Sequence, residues 1–96
     1  MSDLIIVARV GAKPGHARAL VAAQAELVQI VRKQPGCIAY ELHESEDEPG
    51  KVIFFERWAS SEAWERHMGG AHMNAFRAKA GHLIGEFELT RMHQVA

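Results

Sequence analysis

The chain has 96 residues, with 11 Lys and Arg against 12 Asp and Glu for a net charge of −1, 48% hydrophobic and 24% charged residues, which is the size of one domain with one core. It lacks the clustered positive footprint that neutralises phosphates and any apolar run of the roughly 20 residues that span a bilayer, so nucleic acid and membrane are excluded as expected partners. A single cysteine and no Gly-rich phosphate loop leave no cofactor domain, and the acidic opening Met1-Ser2-Asp3, unlike a secretory leader, points to a cytoplasmic location.

Asp3 to Val10 reads as a β-branched strand with apolar residues on both faces. After Pro14, a residue suited to a first helical turn, Ala17, Leu20, Val21, Leu27, Val28 and Val31 recur at helical spacing and predict a helix of about five turns, stopped at Gln34-Pro35-Gly36. Cys37 to His43 alternates as a second strand, with Ile38, Tyr40 and Leu42 on one side and Cys37, Ala39, Glu41 and His43 on the other. The polar run Glu44 to Gly50 is a hairpin connection, and Val52 to Trp58 a third strand with Val52, Phe54, Glu56 and Trp58 on one face. Ser60 or Ser61 suits an N-cap for a short helix whose Trp64, His67 and Met68 share a face. Gly69-Gly70 interrupts it, a second short helix covers Ala71 to Ala80, and Glu86 to His93 is the last strand.

Strand, helix, strand, strand, broken helix, strand is the order of a ferredoxin-like split βαβ domain: one α+β unit over residues 1–96, with a four-stranded antiparallel sheet and helices on one face. The other face stays uncovered, and the two-faced apolar strands predict that a second copy covers it, sheet on sheet, in a homodimeric α+β barrel.

His67 and His72 are the first candidates for chemistry. On a continuous helix they would point roughly 140° apart, poor for a shared metal, but the Gly69-Gly70 break could swing both toward a cavity under the sheet where a neutral imidazole serves as base. Against this, His67 could simply cap its helix and His72 lie in solvent, and no third ligand for a metal is apparent. Glu56, between Phe54 and Trp58, either pairs with Arg9 or Arg91 or sits dry with a raised pKa, a proton acceptor beside aromatic walls. Tyr40, Phe54, Trp58, Trp64, Met68, Met73 and Phe76 are ordinary core material singly and a flat apolar cavity together, with the Trp58 indole N–H and Tyr40 hydroxyl as its polar points. Cys37 is a small filler.

Pro35-Gly36-Cys37-Ile38-Ala39-Tyr40-Glu41-Leu42, then Glu56-Arg57-Trp58-Ala59-Ser60, then His67 with His72 and Phe76 behind, resemble the antibiotic-biosynthesis monooxygenase family, nearest its quinol-monooxygenase-like branch. The resemblance implies a ferredoxin-like fold, dimerisation through stacked sheets, and oxygenation by O₂ of an electron-rich phenolic, quinol or anthrone-type molecule without flavin, haem or metal. It places Trp58 and His67 toward the cavity as catalytic candidates with Tyr40 and Glu56 beside them and His67 as base; the cavity read from the residues themselves would put Phe54, Trp64, Met68, His72, Met73 and Phe76 around the substrate. The chain departs from the haem-degrading branch, which carries an Asn on the first strand; Leu4 to Val10 holds none. Other relatives isomerise a phosphorylated sugar, so the alternatives are an isomerase or degradative enzyme for a small metabolite, with Arg66, Arg77 and Lys79 as phosphate holders, or a non-enzymatic ligand-binding dimeric module.

Overall fold

The structure, a computed structural model, describes residues 3–96; Met1 and Ser2, on which the leader expectation partly rests, lie outside them. The elements are β1 (Leu4–Ala12), α1 (Ala17–Val31), β2 (Cys37–Glu44), β3 (Lys51–Trp58), α2 (Ser61–Met68), α3 (Ala71–Ala80), a 3₁₀ turn (Gly81–Leu83) and β4 (Ile84–Met92). The strands pair antiparallel in the order β2-β3-β1-β4. With α1 joining β1 to β2, and α2 and α3 joining β3 to β4, this is the ferredoxin-like α+β fold that the element order predicts. No helix among the described residues is long and apolar enough to cross a membrane.

Period-2 patterning decides which side of the sheet the helices cover. In β3, Val52, Phe54, Glu56 and Trp58 are buried while Ile53, Phe55 and Arg57 are partly open, as their alternation requires. Their β1 neighbours Ile6, Ala8 and Val10 pack with Leu20, Leu27, Val28 and Val31 of α1 in one core. On the opposite face Ile5, Val7, Ile53, Phe55 and Met92 form an apolar patch. Arg9 with Glu88 (3.8 Å) and Arg57 with Asp3 (3.3 Å) frame it.

Three local differences from the sequence reading have physical causes. In β2 the pairing with β3 shifts between Cys37 and Ala39, so Cys37 lies opposite Trp58, and Tyr40 and Leu42 lie opposite Glu56 and Phe54. Ile38 is the extra, bulged residue, 54% exposed, and Cys37 joins the core face in its place. α1 begins at Ala17, about four turns long, because Pro14 sits in a turn ahead of it. β4 starts at Ile84, two residues earlier than expected, because the 3₁₀ turn Gly81–Leu83 carries the chain directly into the sheet.

That turn ahead of α1 has two siblings. Each of the three prolines is followed by glycine; Gly15, Gly36 and Gly50 have φ of 83°, 84° and 87°, and the next backbone N–H bonds three residues back: His16 to Lys13, Cys37 to Gln34, Lys51 to Glu48. Proline second and positive-φ glycine third is the type II pattern. Gly36 is the most constrained, since a Cβ there would lie 2.5 Å from Ala63 Cβ in α2. α2 itself starts where Ser60 Oγ accepts the Ala63 N–H at 3.1 Å, and it ends at Gly69.

Candidate active site

Between the helices and the covered sheet face lies a cavity of about 60 Å³, with Tyr40 (β2), Phe54 and Glu56 (β3), Gln24 (α1), His67 and Met68 (α2), and Met73 and Phe76 (α3) among its walls. As it stands it has room for roughly four waters. A ring-sized ligand needs Met68, Met73 and Phe76 to move aside, and unbranched methionines on short helices do this at low cost.

The polar groups are few and dry. His67 comes to the cavity because α2 carries Ala63 and His67 on one face, both buried. Its ring stacks on Trp58 at 4.9 Å between centroids and meets the edge of Tyr40 at 5.6 Å. Nδ1 lies 3.0 Å from Gln34 Oε1, whereas Nε2 is buried without a partner. Burial, aided by the positive charge of Arg77, lowers the His67 pKa to about 4, so the ring is neutral at physiological pH.

Glu56 behaves in the opposite sense. It is 4% exposed and takes the Trp58 indole N–H on Oε1 at 2.9 Å. Neither expected arginine reaches it: Arg9 pairs with Glu88 on the far face, and Arg91 lies 5.0 Å over the Trp64 ring and donates to Ser61. Burial therefore raises the Glu56 pKa to about 7, although the indole hydrogen bond pulls it down. The environment thus inverts the usual order: histidine keeps its lone pair and glutamate its proton over much the same pH range. Burial and the neighbouring Glu56 also push the Tyr40 hydroxyl above its ordinary 10, so it stays protonated.

Of the residues singled out in the sequence, Tyr40, Phe54, Glu56, His67, Met68, Met73 and Phe76 meet at this cavity. Trp58 stands behind it, fully buried, supporting Glu56 and His67 instead of facing a ligand. Its expected place facing the cavity is thus not the one it takes, and two further expectations fail. Trp64 lies under Arg91, away from the cavity walls, and His72 is exposed in the first turn of α3, because the Gly69-Gly70 break turns that helix so that Met73 and Phe76 point inward. A shared His67–His72 metal site goes with it, and no three of His, Cys, Asp and Glu converge among the described residues. Of the basic residues, Lys79 pairs with Glu26, and Arg77 donates to Asn74 Oδ1 and the Met68 carbonyl.

Gln24 and Gln34 were not expected at the site, and Arg77, weighed only as a phosphate holder, instead acts on the His67 ring through its charge. Gln24 is 1% exposed, and its Oε1 is buried without a partner at the cavity wall. A signal for it existed: position 24 falls in the α1 apolar stripe between Leu20 and Leu27, where a polar residue is out of place. A larger, open hollow of about 580 Å³ lies over the opposite sheet face, among Arg9, His43, Lys51, Ile53, Glu86 and Glu88. Its charged groups are solvated and of both signs, and much of the rest of its lining, Val10, Val52 and Phe87 included, is apolar, so it lacks the dry polar groups that make the smaller cavity chemically distinctive.

Known proteins share this architecture closely. The Rv0793 protein of Mycobacterium tuberculosis is 34% identical over 83 residues, 86% of this chain and 81% of that protein. The crystal structure of PA3566 from Pseudomonas aeruginosa superposes with a TM-score of 0.94 at 28% identity over 100% of this chain and 97% of that one. SO0527 from Shewanella oneidensis gives 0.88 at 33% identity, covering 97% and 91% of the two chains. The family model for the antibiotic biosynthesis monooxygenases matches residues 3–79, from β1 almost to the end of α3. The family model over most of the chain, the relative at 34% identity and the shared fold together make this chain a member of the antibiotic biosynthesis monooxygenase family.

Proposed function

We propose that the chain is a monooxygenase for an electron-rich phenolic molecule of the quinol or anthrone type, using O₂ and drawing both reducing equivalents from the substrate. The observation that carries this reading is the inverted pair in an apolar cavity, His67 in its base form and Glu56 in its acid form between about pH 4 and about pH 7. Two buried acceptors without partners, His67 Nε2 and Gln24 Oε1, favour an occupant that brings hydroxyl donors on a flat apolar body.

In the proposed reaction His67 Nε2 removes a proton from the substrate, and the resulting anion gives electrons to O₂. The isolated imidazolium is costly in this dry site, but the anion left behind is its counter-ion. Oxygen adds at a hydrogen-bearing ring carbon of that anion, Glu56 donates a proton to the peroxide as it forms, and the imidazolium proton then returns to Glu56 to reset the pair. Loss of water then leaves a carbonyl: one oxygen atom enters the product and the other leaves as water. Trp58 fixes the acid by engaging Oε1, which leaves the other carboxyl oxygen to carry the proton toward the cavity, and it holds the His67 ring by stacking. Such chemistry asks the protein only to bind, move protons and exclude water, so the proposal includes no cofactor.

A second copy is proposed to cover the patch of Val7, Ile53 and Phe55 on the open sheet face. The catalytic reading is tested by oxygen uptake with quinols and anthrones across pH 3 to 9. The expected profile is a bell with limbs near 4 and 7; activity that keeps rising above pH 7 removes Glu56 as the acid.

A further inference from the structure

We propose that Gln34 is the positioning residue of the site: the Gln34-Pro35-Gly36-Cys37 turn is held against α2 so that Gln34 Oε1 accepts the His67 Nδ1–H and leaves the Nε2 lone pair in the cavity. The inference rests on the reading of His67 as base and assigns what makes it one. The two residues are 33 positions apart, yet Oε1 and Nδ1 are 3.0 Å apart.

The turn has little freedom to move. The Gln34 N–H bonds the Val31 carbonyl at the end of α1, the Cys37 N–H closes the turn on the Gln34 carbonyl, and the Ala59 N–H ties the Gly36 carbonyl to the segment between β3 and α2. Gly36 rests on Ala63, one helical turn before His67 on the same face of α2. With φ of 84° and no room for a Cβ, Gly36 sets how closely the turn approaches the helix. Gln34, two residues earlier, is thereby delivered to the imidazole.

A neutral imidazole has one N–H and one lone pair, and the partner of the first nitrogen decides which the second carries. The groups that face the His67 ring from the packed elements are Arg77 of α3, Glu56 and Trp58 of β3, Tyr40 of β2 and, across the cavity, Gln24 of α1. Gln34 is the one hydrogen-bonded to it. Nε2, buried without a partner, is then the lone pair presented to a substrate hydroxyl. Ionisation does not blur the choice at neutral pH, because burial keeps this ring uncharged down to about 4.

The test is nitrogen-15 NMR of histidine-labelled protein at pH 7 without substrate, with His67→Asn to assign the signals. The expected result is a protonated-type shift at Nδ1 and a lone-pair-type shift at Nε2. Gln34→Leu removes the acceptor and should shift the balance toward Nε2–H, with oxygen uptake falling about tenfold or more at little changed KM. Gln34→Glu restores an acceptor and should restore the Nδ1–H form, while its charge moves the acid limb of the activity profile up by about one to three pH units. A proton on Nε2 in the unaltered protein, or the same tautomer in Gln34→Leu, overturns the assignment. The spectrum needs no substrate, so absent oxygen uptake would refute the reaction and not the part given to Gln34.

Discussion

Removing either member of the inverted pair should expose a pH dependence of stability that the two conceal together. Folded Glu56 holds its proton to about 7 against an ordinary 4.5, so its contribution is fully present below 4.5 and is lost as pH rises to 7. Folded His67 resists protonation down to about 4 against an ordinary 6.5, so its contribution is present above 6.5 and is lost as pH falls to 4. At about 1.4 kcal/mol per pH unit each gap corresponds to about 3 kcal/mol, and the slopes oppose each other where the windows overlap. Glu56→Gln keeps an acceptor for the Trp58 indole N–H and removes the acid; relative to the unaltered protein its stability should rise by about 3 kcal/mol between pH 4 and 7. His67→Asn should show the mirror image, a relative fall of the same size over this range. For a domain of this length that is about 12–24 °C in Tm. Urea denaturation at half-unit pH steps and fixed protein concentration measures it. Curves for both variants that run parallel to that of the unaltered protein would refute the argument that burial sets these two protonation states.

Other substitutions probe the frame around the pair. Gly36→Ala should destabilise by more than about 1 kcal/mol, from positive φ and the approach to Ala63; adding Ala63→Gly should recover the steric part alone, as chemical denaturation of both variants can measure. Gln24→Leu replaces a buried acceptor without a partner and should raise stability by about 1–3 kcal/mol while weakening binding of hydroxylated aromatics; titration calorimetry showing unchanged affinity would remove Gln24 from the site. Phe55→Glu puts a charge into the apolar patch of the open sheet face and should convert a dimer into a monomer by size-exclusion chromatography, with the fold retained by circular dichroism; a monomer before substitution contradicts the dimer.

What the sequence made legible was what local pattern controls. The alternation of β3 places Glu56 and Trp58 on the covered face, and Ser60 caps α2 so that His67 turns inward. The β2 bulge escaped the alternation rule because one extra residue reverses the rule beyond it, and Ile38 looks no less apolar than Cys37. The fate of Glu56 was open between pairing and isolation. Only the strand registers settle it, by placing Arg9 on the far face and Arg91 near the end of β4 over Trp64. Gln34 could not be read at all, because its contact with His67 joins a turn and a helix through a packing of Gly36 on Ala63 that no periodicity encodes.

The most direct measurement for the whole account is oxygen consumption by metal-free protein against a panel of quinols and anthrones, alongside His67→Ala and Glu56→Gln. Uptake above the uncatalysed rate for at least one compound, with one O₂ consumed per product and loss of activity in both variants, is the predicted result. No uptake with any compound, or turnover intact in His67→Ala, would contradict it.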